Sequence, residues 1–199
     1  MRFNDLRLKI KEAGIFFLED VFKWFPEANR ATVKNQLRNW VAKGYLLRLK
    51  KNLYFLKETE LKDEFVLANR LCEPSYVSLE SALNYYGIIP DVPFSVTSVT
   101  TKKTQEFKNQ FGLFIYRSLK PELFFGWQEV EVGERQFYKI AKPEKALVDF
   151  IYLNQNSFGA NFPQEERFSF GDDFNWQEFK RYTLLVKTKK FRKLVERLL

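Results

Sequence analysis

The chain contains no histidine. That absence removes His-dependent triads, most catalytic zinc sites, the HExxH helix and the imidazole general base together. Its one cysteine, Cys72, excludes an intrachain disulfide framework and fits a reducing compartment. With no His to activate it, Cys72 is expected to be a buried structural thiol rather than a nucleophile. No uninterrupted apolar run reaches bilayer-spanning length, and the charged N-terminal stretch is expected to be neither signal peptide nor membrane anchor. Glycine-rich phosphate loops, a GxSxG elbow and an EF-hand loop are also missing. These absences point to a cytoplasmic, non-enzymatic protein with no membrane association and no catalytic residue, cofactor or metal.

One further absence is local. Residues 28–57 hold eight Lys or Arg and no Asp or Glu, where the chain's average acid frequency would place about four acids. Residues 58–179 hold twelve basic and nineteen acidic side chains, and residues 180–199 hold eight and one. The overall charge of +8 is therefore polarised: a basic module, an acidic body and a basic tail. Such a distribution suggests that only certain surfaces approach nucleic acid.

What is present is enough for a core. With 45% hydrophobic residues, 22 of the 199 being Phe, the chain reads as folded and as two domains rather than one. Leu6, Ile10 and Ala13 recur at helical spacing and predict a first helix over 3–13, stopped by Gly14. Residues 15–17 suit a short strand. Leu18, Val21, Phe22 and Phe25 define a second helix over 18–24, closed by Pro26. Asn29 or Thr32 caps a third, which ends at Gly44. Three helices followed by a hairpin is the order of a winged helix-turn-helix.

Advancing about 100 degrees per residue along the third helix places Val33, Leu37, Trp40 and Val41 on one stripe, the predicted core face. The opposite face collects Ala31, Asn35, Arg38, Asn39 and Ala42. Small residues let a helix enter the major groove, and Asn35, Arg38 and Asn39 carry the paired donors and acceptors that read adenine and guanine edges. In the hairpin, strands over 46–49 and 53–55 flank a Lys50-Lys51-Asn52 turn, where Asn tolerates positive φ. Arg30, Lys34, Arg48, Lys50 and Lys51 are the expected phosphate contacts.

An apolar pattern over 61–72 predicts a linking helix. The domains expected are a winged helix-turn-helix over 1–57, the linking helix within 58–74 and an α+β body over 75–199. In the body, Ser78 is the expected cap of a helix that Gly87 ends. Strand patterns cover 94–101, 113–116, 123–127, 129–132 and 136–140, giving a small, mainly antiparallel sheet with a helix over 142–153 packed on it. Asp149, five residues after Glu144, is not on the same helical face and makes no catalytic pair with it. Residues 154–173 read as a long surface excursion. Two C-terminal helices follow, the last exposing Lys189, Lys190, Arg192 and Lys193 as an auxiliary basic surface.

Two body motifs are specific in combination. Ser-Tyr-x-Ser-Leu-x-Ser-Ala-Leu begins at Ser75, and Ile-Ala-x-Pro-Glu-Lys-Ala-Leu-x-Asp runs from Ile140 to Asp149. With the N-terminal helix-hairpin they make residues 5–155 resemble the AbiEi-type antitoxins of bacterial type IV toxin-antitoxin systems. The resemblance implies a transcriptional repressor of its own operon. It further implies an antitoxin that opposes a nucleotidyltransferase-like toxin without a stable complex, with the third helix and wing reading double-stranded operator DNA. This chain departs from the family at the wing turn, where an Arg-Gly or similar pair is common and Lys51-Asn52 stands instead.

Two other readings compete. Glu129, Glu131 and Lys139 on neighbouring predicted strands could imitate a metal-dependent carboxylate site of a nucleic-acid-processing enzyme, although alternating exposed charges are the favoured account of them. The acidic body could instead serve as a protein-interaction module for a basic partner.

Overall fold

The computed structural model describes residues 1–10, 14–133 and 136–199. Both ends of the chain are α/β combinations of different kinds, joined by a short helix. The first unit contains α1 (Phe3–Ile10), β1 (Ile15–Phe17), α2 (Leu18–Trp24), α3 (Arg30–Ala42), β2 (Leu46–Lys50) and β3 (Leu53–Leu56). Its three strands form an antiparallel sheet in the order β1-β3-β2. Leu6, Ile10, Phe16, Val21, Val33 and Leu37 are buried together between the helices and that sheet. The periodic spacing of these residues is what folds the unit, and the predicted helix over 18–24 is found at those bounds. Ala13, assigned to the first helix from sequence, lies outside the described residues.

The linking helix, α4 (Glu64–Leu71), is capped by Asp63, whose carboxylate accepts the Phe65 N–H at 2.8 Å. It packs on the body rather than tethering it. The body continues with β4 (Ser75–Val77), α5 (Leu79–Tyr85), β5 (Val96–Thr100), β6 (Gln105–Asn109), β7 (Gly112–Ser118), β8 (Trp127–Glu131), β9 (Phe137–Ala141), α6 (Pro143–Asn154), α7 (Trp176–Thr183) and α8 (Lys189–Leu198). The whole is of mixed α and β composition, with a small antiparallel sheet and a larger mixed one.

The body sheet corrects the sequence expectation. It is six-stranded, in the order β6-β7-β5-β4-β9-β8, and it pairs β5 with β7 and β4 with β9 in parallel. Its two central strands, β4 and β5, are buried along their entire length. A strand covered on both faces shows no alternation of polarity, so the three-residue β4 carries no pattern from which to read it. Cross-strand register assigns the faces. Tyr116 reaches α4, donating its hydroxyl to the Ala68 carbonyl, whereas Tyr76 and Arg117 reach α6. The expected strand over 123–127 is instead a 3-10 turn at Pro121–Leu123 that leads to Gly126 at φ +76, and β8 starts only at Trp127. Proline at the turn's start and the left-handed glycine interrupt an otherwise extended run. Cys72 is buried, as its context predicted.

The two units share a seam. Ile15, Leu49, Leu53 and Phe55 turn away from the N-terminal core and join the larger cluster of the body. Phe55 meets Phe111 edge to face with ring centroids 5.4 Å apart. Among the described residues, no helix is long and apolar enough to cross a membrane.

Candidate nucleic-acid interface

Helix α3 begins at a true cap. Asn29 accepts the Ala31 and Thr32 N–H groups through one side-chain oxygen, at 3.0 and 3.2 Å. It ends where Gly44 takes φ +73. Between these ends Val33 and Leu37 are fully buried, while Trp40 and Val41, expected with them, stand half-buried at the margin of the core. Trp40 is held there edge to face by Phe3, with centroids 5.2 Å apart. Gln36 donates to the Met1 carbonyl at 2.9 Å, so the helix is pinned along one side.

The outward face is as the spacing predicted. Arg30, Ala31, Lys34, Asn35, Arg38, Asn39 and Ala42 are all exposed. Arg30 extends over the Phe22 ring, 5.0 Å from its centroid, which orders its guanidinium at the helix start. Asn35, Arg38 and Asn39 stand together on the middle turns with no acidic residue anywhere in the helix. Two short side chains, Ala31 and Ala42, also lie on that face.

The hairpin divides its three expected phosphate ligands. Arg48 is exposed, opposite Tyr54 in the sheet register. Lys51 is exposed at the turn, and Asn52 adopts φ +63, the conformation its side chain tolerates. Lys50 is different, and its expected role is corrected. It is half-buried and its ammonium donates to the Leu71 carbonyl at 2.7 Å, satisfying an acceptor at the C-terminal end of α4. It also lies over the Phe107 and Phe17 rings, at 5.3 and 5.8 Å. Desolvation lowers its pKa below the ordinary lysine value, with Lys102 adding to the effect while Cys72 and Glu73 oppose it. Lys50 therefore fastens the hairpin to the body, with one of its three N–H donors committed to the Leu71 carbonyl.

Arg70 takes part in the same joint, unnoticed in the sequence. Its guanidinium bonds Glu73 at 2.9 Å and sits 5.2 Å from the Phe17 ring centroid. A helical residue at the end of a linking helix gives no sign that it will meet a phenylalanine more than fifty positions earlier.

Lys189, Lys190, Arg192 and Lys193 are exposed along α8, whose Phe191, Leu194 and Val195 are buried. Lys190 is turned partly aside and donates to Asn156 Oδ1 at 3.3 Å.

The two carboxylates considered for metal chemistry stand two residues apart on β8, on one face of the strand. Glu129 stands opposite Lys139 across β8 and β9, with charged atoms 3.9 Å apart, whereas Glu131 stands opposite Phe137. Glu129 and Lys139 border a cleft of about 540 Å³ with Arg70, Glu73 and Trp127, and Glu131 does not. Among the described residues no group of three or more His, Cys, Asp or Glu side chains is placed to hold a metal ion.

The two body motifs meet in one buried polar knot. Lys145 and Asp149, four residues apart on α6 and each only 1% exposed at the side chain, form an ion pair. Asp149 Oδ2 also accepts the Ser78 hydroxyl at 2.9 Å and the Tyr76 hydroxyl at 3.0 Å. Ser78 is thus not the side-chain cap expected of it: it precedes α5, but its hydroxyl goes to Asp149. Burial pushes the Asp149 carboxyl up and the Lys145 ammonium down, and each opposes the other's shift. Gly126 completes the site, since a Cβ there would come within 3.0 Å of Lys145 Cγ. The knot is sealed and holds the sheet to α6; its role is architectural.

In comparison with known proteins, no family model and no curated protein matches this chain.

Proposed function

We propose that this protein is a sequence-specific DNA-binding transcriptional repressor that acts in the cytoplasm. The observation that carries the reading is the exposed, acid-free face of α3, where Asn35, Arg38 and Asn39 stand between Arg30 and Lys34 at one end and Ala42 at the other. In this reading the three N-terminal helices and the β1-β3-β2 sheet act as a winged helix-turn-helix. α3 enters the major groove, and Arg48 and Lys51 hold the flanking phosphates. Lys50 has no part in DNA contact. The resemblance of residues 5–155 to AbiEi-type antitoxins supports the wider role of autoregulating an operon and opposing a nucleotidyltransferase-like toxin without a stable complex.

The experiment is an anisotropy titration of the intact chain on the duplex just upstream of its own gene and on random duplex. Preference for the former supports the reading, and equal affinity refutes it. Co-expression with the product of the adjacent gene tests the antitoxin role separately: relief of its toxicity is the result expected.

A further inference from the structure

The surface of the body carries two patches that complement one another in both charge and polarity. The first is a cleft of about 470 Å³ between the start of α5, the loop before β5 and the 3-10 turn at Gln164–Glu166. Leu79, Ile89, Ile115 and Phe150 contribute its apolar lining, and Glu80, Asp91, Glu165 and Glu166 its carboxylates. Phe94 at its mouth is 96% exposed, and Val92 beside it is 83% exposed. Two solvent-facing apolar side chains in one loop next to an apolar cleft mark a contact surface rather than scattered surface hydrophobics.

The carboxylates are crowded. Burial and the nearby charges of Glu165, Glu80 and Asp91 raise the Glu166 carboxyl above its ordinary value. Asp91 is paired with Arg167, but among the described residues no cation forms an ion pair with Glu80, Glu165 or Glu166. Arg117 reaches the cleft yet spends its guanidinium on the Leu153 carbonyl and Asn154 Oδ1, at 2.9 and 3.2 Å. The site has an excess of negative charge and an uncovered aromatic.

The second patch is the C-terminal end. Lys187, Lys189, Lys190, Arg192, Lys193 and Arg197 are exposed on and just before α8. The turn leading into it exposes Leu184 at 78% and Leu185 at 50%. No ion pair joins these cations to the cleft's carboxylates within one chain among the described residues. Both patches belong to the body, since α8 packs on α6 and α6 supplies Phe150 to the cleft.

We propose that the occupant of this cleft is a second copy of the chain. In a two-fold dimer the α8 cations and Leu184-Leu185 of each copy seat against the carboxylates and Phe94 of the other. A two-fold arrangement uses each patch once per chain and closes, whereas a head-to-tail repeat would continue as a filament. Opposed charges set the orientation of the contact, and the apolar pairs supply its adhesion. This goes beyond the DNA-binding reading and is tested without DNA.

Sedimentation velocity on the intact chain, across a wide concentration range at low and high salt, reads the association. The expected result is a monomer-dimer equilibrium that weakens as salt rises. Glu165→Lys with Glu166→Lys, or Lys189→Glu with Lys193→Glu, should each weaken dimerisation at least about tenfold by placing like charges together. Mixing these two variants restores opposite charges at both contacts, so a heterodimer should form from two chains that do not self-associate. Circular dichroism confirms that each variant is folded, and Phe94→Ser, at a fully exposed position, weakens the dimer without a charge change. A wild-type chain that stays monomeric, forms an open ladder of oligomers, or dimerises indifferently to both reversals overturns the proposal.

Discussion

The Lys50 ammonium donates to the Leu71 carbonyl at 2.7 Å, so the tip of the N-terminal hairpin is bonded to the end of α4. Two adjacent lysines at one turn consequently do different work: Lys50 fixes the hairpin on the body, and Lys51 faces solvent. Substituting each in turn separates these roles.

Lys50→Gln should destabilise the chain by about 1–2 kcal/mol, the loss expected when a charged donor is removed from a partly buried carbonyl. It should leave the salt dependence of DNA binding unchanged. Lys51→Gln should do the reverse, reducing the slope of log affinity against log salt by about 0.9 with little change in stability. Urea denaturation and anisotropy at several salt concentrations measure the two effects.

Asp149→Ala leaves Lys145 buried without its counter-charge and the Tyr76 and Ser78 hydroxyls without their acceptor. Loss of one member of such a pair should cost about 3–5 kcal/mol. Adding Lys145→Met should recover part of that loss, because the uncompensated charge disappears with it. Chemical denaturation of the two variants gives the comparison, and equal stability of both would remove the ion pair from the account.

Alkaline stability reports Tyr86, whose hydroxyl donates to the Ala141 carbonyl at 3.0 Å. Burial, with smaller help from Tyr85, pushes its pKa up to about 12 from 10.0. The neutral form is favoured in the folded chain, so this contribution is complete below pH 10 and declines as pH rises toward 12. Lys50 and Lys145, whose pKa values are lowered, act with the opposite sign. The difference between wild type and Tyr86→Phe isolates the tyrosine: Phe should be the less stable at neutral pH, by about 1 kcal/mol. That gap should shrink above pH 10.

The cap of α3 gives a test of local origin. Asn29→Ala removes the acceptor of two helix N–H groups and should cost about 1 kcal/mol, while Asn29→Asp should retain most of it. Thermal unfolding followed by circular dichroism reads both.

How far the sequence foretold this structure depended on the range of the forces involved. Helix α2, the left-handed Asn52 and the outward face of α3 follow from neighbours within a turn or two and were legible, and the cap of α3 was narrowed to Asn29 or Thr32, of which Asn29 accepts the helix N–H groups. The rest depends on partners far along the chain. Lys50 and Lys51 are indistinguishable in sequence, and only the docking of α4 separates them. Asp149 compared with Glu144 has no partner; its partners are Lys145, one turn away, and Ser78 and Tyr76, more than seventy positions away. The buried β4 lacks alternation because both its faces are covered, so its parallel pairing with β9 left no trace in the local pattern.

The central claim is that the α3 face reads DNA, and anisotropy at fixed moderate salt tests it most directly. Intact wild-type chain and Arg38→Ala are compared on the duplex upstream of the gene and on random duplex. Wild type is expected to prefer the upstream duplex, and Arg38→Ala to lose about 1–3 kcal/mol on it, with a much smaller loss on random DNA. Equal affinity of wild type for the two duplexes, or an Arg38→Ala chain that keeps the full preference, would contradict it.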